Sequence, residues 1–105
     1  MSETNQTEEG LSRMTIFIPT PLRGFAGGNN EVEVVGATIS EALDSLTQSH
    51  PDLRKHLFTN DGKIRSFVNL YLNDEDVRYL PAREQSKVSA GDTLSIIPSI
   101  AGGVA

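Results

Sequence analysis

At 105 residues the chain is sized for one small domain, and an apolar content of 37% supplies a single modest core without covalent staples. It has no cysteine, which excludes disulfides, thiolate metal sites and any side-chain thiol that carries sulfur or acts as a nucleophile. A net charge of −5 argues against a surface for nucleic-acid phosphates and suits contact with basic patches on other proteins, and no apolar run approaches the ~20 residues of a membrane span.

Residues 1–13 are polar and acidic and lack hydrophobic periodicity, so a disordered leader is expected there. They do not resemble a signal peptide, and the cytoplasm is the expected location. Met14 to Pro19 reads as a strand with Ile16 and Ile18 pointing one way and Thr15 and Phe17 the other. Pro19 and Pro21 end it, because proline cannot donate to a ladder. Gly24, Gly27-Gly28 and Asn29-Asn30 supply turn chemistry, and Glu31 to Val35 resumes the alternation, which predicts a hairpin.

Thr38 and Glu41 have the spacing of a capping box, and Ile39, Ala42, Leu43 and Leu46 recur at helical steps on one stripe. Pro51 stops this helix after His50. A short helical turn follows with Leu53 and Leu57 on one side, then a turn at Asn60-Asp61-Gly62-Lys63. Phe67 to Leu72 reads as a strand with Val68, Leu70 and Leu72 inward and Phe67, Asn69 and Tyr71 outward. After the acidic turn Asn73 to Asp76, Val77 to Leu80 is expected to form a short edge strand. Ala90-Gly91-Asp92 leads into the final strand, Thr93 to Pro98, with Leu94 and Ile96 inward. The order predicts an α+β fold: a mixed sheet of four to five strands with one main helix packed on one face. The expected core is Ile16, Ile18, Val32, Val34, Ile39, Leu43, Leu46, Val68, Leu70, Leu94 and Ile96. Residues 14–98 form the domain, and residues 99–105 a flexible tail.

No phosphate loop, dinucleotide fingerprint or nucleophile elbow is present, so the chain offers no case for catalysis of its own. His50 and His56 lie without ligand partners at metal-site spacing, and both are expected at the surface. Outward Phe17, Phe67, Tyr71 and Ile97 are expected to make an apolar patch that docks a partner, with cover by the leader or a loop as the plainer alternative.

The ending Val88, Gly91-Asp92, Leu94, Ile96-Ile97-Pro98, Ile100-Ala101-Gly102-Gly103 resembles that of the ubiquitin-like sulfur carriers. That family includes the small subunit of molybdopterin synthase and the thiamine-pathway sulfur carrier. Ile18-Pro19-Thr20 with Leu22-Arg23, Arg65 with Phe67-Val68-Asn69 and Tyr71, and Asn73 to Arg78 are similar to the subgroup that serves cysteine biosynthesis. The resemblance spans about Met14 to Gly103 and implies a β-grasp fold.

It also implies that Gly103 bears the reactive carboxylate, presented by Pro98, Ile100, Ala101 and Gly102. In most members the second glycine is last, whereas Val104 and Ala105 follow here, so the resemblance implies a precursor trimmed by a protease such as a JAMM-type zinc metalloprotease. An adenylating enzyme of the ubiquitin-activating type would use ATP and magnesium to activate Gly103. A sulfur donor would convert it to a thiocarboxylate, and a pyridoxal-phosphate cysteine synthase would accept the sulfur. The chain itself would be substrate and donor, without a cofactor or metal of its own. Rival readings are a molybdopterin synthase small subunit, a donor for thiamine or tRNA sulfur, a ubiquitin-like modifier of lysines, and a plain interaction module.

Overall fold

Period-two alternation decides which strand side chains are buried. Met14 and Ile16 on the first strand and Ile18 just past its end, Val68, Leu70 and Leu72 on the third, and Leu94 and Ile96 on the last all point to one face and are buried there. The computed structural model describes residues 11–98. Its strands are β1 (Ser12–Phe17), β2 (Glu31–Gly36), β3 (Val68–Leu72), β4 (Glu75–Asp76) and β5 (Thr93–Pro98). The helices are α1 (Ile39–Ser49) and α2 (Arg54–Leu57), with 3-10 turns at Thr20–Phe25, Pro51–Leu53, Val77–Tyr79 and Arg83–Gln85. None of these helices is long and apolar enough to cross a membrane.

The strands form one five-stranded sheet in the order β2-β1-β5-β3-β4. β1 runs antiparallel to β2 and parallel to β5, while β3 runs antiparallel to both β5 and β4. The last strand in sequence is therefore the central one. The apolar stripe of α1 (Ile39, Ala42, Leu43 and Leu46) joins the buried strand residues in one cluster, and among the described residues no element covers the opposite, open sheet face. This is the expected α+β layer, with the sheet mixed and the helix on one side.

The helix start follows the sequence closely. Thr38 Oγ1 accepts from Glu41 N–H at 3.2 Å. The reciprocal bond differs from the usual box by one residue, because Glu41 Oε1 accepts from Ala37 N–H (2.9 Å) rather than from the cap itself. The join between β2 and α1 is tight. A Cβ on Gly36 would stand 2.7 Å from Ala42 N, so only glycine lets the strand end lie against the first helical turn.

Several expectations need correction. β1 begins at Ser12, inside the stretch read as leader 1–13, because Ser12 and Arg13 pair with Gly36 and Val35. Residues 1–10 lie outside the described residues. β3 begins at Val68 rather than Phe67, since Val68 N–H closes a turn onto Arg65 O at 2.9 Å. The edge strand is Glu75–Asp76, and Val77–Tyr79 is a 3-10 turn. Asn73 and Asp74 take φ of 49° and 78°, which makes a two-residue reversal and starts the returning strand earlier than hydrophobicity suggests.

The core is larger than expected, with Met14, Leu22, Ala26, Leu53, Leu57, Phe58, Val77 and Val88 also buried. Val32, on the edge strand, is only partly so. His56 is half-buried rather than superficial. It stacks on Phe25 with ring centroids 4.1 Å apart, and its Nε2 is buried without a hydrogen-bond partner among the described residues.

Candidate functional site

The open face carries the residues that the core does not use. Phe17 stands opposite Glu31 on one side and Ser95 on the other, while Tyr71 stands opposite Ser95 and Asp76. One row, Glu31–Phe17–Ser95–Tyr71–Asp76, therefore crosses every strand of the sheet. Ile97 lies two residues along β5 from Ser95, on the same face and opposite Asn69. Phe17 is 42% exposed and Ile97 47%, and Tyr71 is half-buried. The structure thus gathers Phe17, Tyr71 and Ile97 as expected. Phe67, 48% exposed, sits just before β3 and outside the ladder that fixes the other three. Ser95, at the centre of the row, was not singled out from sequence. Its position between two outward aromatics becomes visible only once β5 is placed between β1 and β3.

The acidic end of the face is braced. Asn73 N–H donates to Thr93 O at 2.9 Å, and Thr93 N–H donates back to Asn73 Oδ1 at 2.9 Å. Asn73 Nδ2 donates to Asp92 Oδ1 at 3.0 Å, and Ser89 N–H donates to Asp92 Oδ2 at 2.7 Å. These bonds tie the turn after β3 to the entry of β5, so the central strand is held from its first residue. Asp76 is clasped by Arg78, whose Nε and Nη2 donate to its two oxygens at 3.1 and 2.7 Å. The Arg78 side chain holds the Asp76 carboxyl below its ordinary value of 3.8, with a further bond from Arg78 N–H acting in the same direction. Of the acidic turn, Asp74 and Glu75 remain exposed. No group of three or more His, Asp or Glu among the described residues is placed to hold a metal ion.

At the other end, β5 finishes at Pro98, opposite Val68. Proline has no N–H for the ladder and a fixed φ, so it marks where regular pairing stops. Ile100, Ala101, Gly102, Gly103, Val104 and Ala105 lie outside the described residues.

β5, central and parallel to β1, is followed in sequence by Gly102-Gly103, and residues 16–103 match the model of the ThiS family. The chain belongs to the ThiS family. With that match the layer arrangement is the β-grasp fold of ubiquitin-like sulfur carriers. This ThiS-family chain is 35% identical over 92 residues to the sulfur carrier protein CysO of Mycobacterium tuberculosis, covering 86% of the chain and 98% of that protein. It is 36% identical over 73 residues to small archaeal modifier protein 1 of Haloferax volcanii, covering 69% of the chain and 78% of that protein. Among solved structures, CysO of Amycolatopsis orientalis, in its complex with BexX, superposes with a TM-score of 0.77 at 41% identity, covering 86% of this chain and 99% of that one.

Proposed function

We propose that this chain carries sulfur on its C-terminal backbone. Removal of Val104 and Ala105 by a protease, with a JAMM-type zinc metalloprotease the best-suited class, frees the carboxylate of Gly103. A carboxylate is a poor electrophile. An adenylating enzyme joins it to AMP from ATP, with release of pyrophosphate and magnesium as the enzyme's cofactor. A sulfur nucleophile then displaces AMP and leaves a thiocarboxylate. Gly102 and Gly103 suit this use because they lack Cβ atoms and thread a narrow channel. The apolar residues Phe17, Tyr71 and Ile97 of the open face, with Phe67 beside them, are the proposed docking patch for these enzymes.

In the proposed acceptor step, a pyridoxal-phosphate cysteine synthase takes the sulfur, and the cysteine formed remains on Gly103 until it is released. ATP, magnesium and pyridoxal phosphate all belong to the partners. On this reading the chain is a protein substrate and donor.

The observation that carries the reading is the family match, which stops at Gly103 and leaves Val104 and Ala105 beyond it. Similarity to CysO over 98% of that protein supports the cysteine branch. The test is the intact mass of protein isolated from its own host. The expected species lacks Val104 and Ala105 and has one oxygen of Gly103 replaced by sulfur. Native material that keeps both residues while sulfur is delivered overturns the proposal.

A second reading is a modifier joined through Gly103 to lysines, favoured by the 36% identity to an archaeal modifier protein. Lysine conjugates on immunoblots of the native host, lost when Gly103 is deleted, would establish it.

A further inference from the structure

The β2 edge of the sheet has no strand beside it among the described residues. Two hydrogen bonds show which of its backbone groups point outward. Ile18 N–H donates to Asn30 O at 2.9 Å, so even-numbered residues of β1 face β2. Thr15 N–H donates to Asp92 O at 3.1 Å, so odd-numbered residues face β5. With Ile16 opposite Val32 and Met14 opposite Val34, the even-numbered residues of β2 bond to β1. The N–H and C=O groups of Glu31, Glu33 and Val35 therefore point away from the sheet, and no other described residue bonds to them. The register over β2 is continuous, without bulge or proline. The opposite edge is different, since β4 is only two residues long and passes at once into a 3-10 turn.

The two charged side chains of the edge strand itself have one sign. Glu31 and Glu33 are exposed on the open face. Glu33 meets Arg13 only at 3.8 Å, between two exposed side chains, a contact worth little in water. Such charges are a known protection against edge-to-edge pairing, and they act selectively. Full-length antiparallel pairing with a second copy sets Glu33 against Glu33, which is repulsive. The chain's own residues 1–10 carry Glu3, Glu8 and Glu9 with no lysine or arginine, and meet the same repulsion. A basic strand meets attraction at each step.

We propose that the β2 edge accepts an extended segment of a partner protein as a sixth strand, with lysine or arginine at alternate positions facing Glu31 and Glu33. Backbone bonds from the outward groups would supply affinity, and the two glutamates the selection. The proposal does not depend on what Gly103 carries.

The test is an amide NMR titration of the whole chain with an acetylated, amidated peptide of alternating lysine and valine, beside the same peptide with glutamate for lysine. The expected result is shifts and slowed hydrogen exchange at the amides of Glu31, Glu33 and Val35 with the lysine peptide alone. The amides of Val32 and Val34 already donate within the sheet and should change little. The double variant Glu31→Lys, Glu33→Lys should weaken binding by about tenfold or more and accept the glutamate peptide instead. Backbone N-methylation of the lysine peptide should abolish the effect.

Equal response to both peptides overturns the proposal, as does binding that leaves those three amides exchanging freely. Protection already present without peptide and lost on deleting residues 1–10 would assign the edge to the chain's own segment. Protection that grows with protein concentration would assign it to a second copy.

Discussion

Phe17 and Tyr71 stand on opposite sides of Ser95, one across the parallel ladder and one across the antiparallel ladder. A small residue between two aromatic ones leaves a shallow trough on the open face, with Ile97 at the next outward position of β5. Replacing Phe17 with Ser, or Ile97 with Asp, should cost only about 1 kcal/mol of stability, because each side chain is about half exposed and each change mainly lowers strand propensity. If the patch docks an adenylating enzyme as proposed above, the same changes should weaken binding to that enzyme by about tenfold or more, as expected when an apolar anchor is lost from the centre of an interface. Calorimetric titration against that enzyme, with thermal unfolding as the control, separates the two effects.

Thr38→Ala should lower stability by about 1 kcal/mol, the usual cost of losing an N-cap oxygen. Urea unfolding should show a lower midpoint with an unchanged slope, since the change touches a helix end and not the compactness of either state. Thr38→Ser should recover most of the loss.

Gly36→Ala should be costlier than its conservative appearance suggests. The added methyl would meet backbone at 2.7 Å, and backbone at a strand–helix junction cannot swing aside as a side chain does. A loss of about 1–3 kcal/mol is expected, typical of overpacking. Gly24→Ala is the control, because a Cβ there meets nothing within 4 Å.

The Asp76–Arg78 pair predicts an acid-side effect. A carboxylate whose pKa is depressed in the folded state adds stability above its unfolded value, and that stability is lost as pH falls through the folded value. Asp76→Asn should therefore differ from the parent in neutral solution and converge with it as the pH falls through the folded value, which lies below 3.8. An NMR titration of the Asp76 carboxyl carbon should give a midpoint below 3.8 that moves back up in Arg78→Ala.

The faces of β1, β3, β5 and α1 were readable because each repeats its apolar residues at the period of its backbone, two for Ile16 and Ile18, three and four for Ile39, Ala42, Leu43 and Leu46. The edge at Glu75–Asp76 was not, because its position depends on two left-handed residues, Asn73 and Asp74, rather than on hydrophobicity. The Asn-Asp pair beside a strong strand was the available signal. Leu53, Leu57 and Phe58 escaped the expected core because they lie in a 3-10 turn, a single helical turn and its cap, segments too short to show a period. At the site, outwardness of Phe17, Tyr71 and Ile97 could be read locally, but their assembly about Ser95 is a property of strand order. Alternation says which way a side chain points, and only topology says what stands next to it.

The place of β5 also has a bearing on how the molecule is made. The β1–β2 hairpin and the β3–β4 hairpin share no ladder with each other, and β5 alone pairs with both. During synthesis those halves wait for the final strand to emerge before they can be joined. The residues that lock the sheet are thus the ones immediately ahead of the Gly-Gly segment. A chain cut short of Thr93 therefore lacks both the strand that joins the two hairpins and the Gly-Gly segment that follows it.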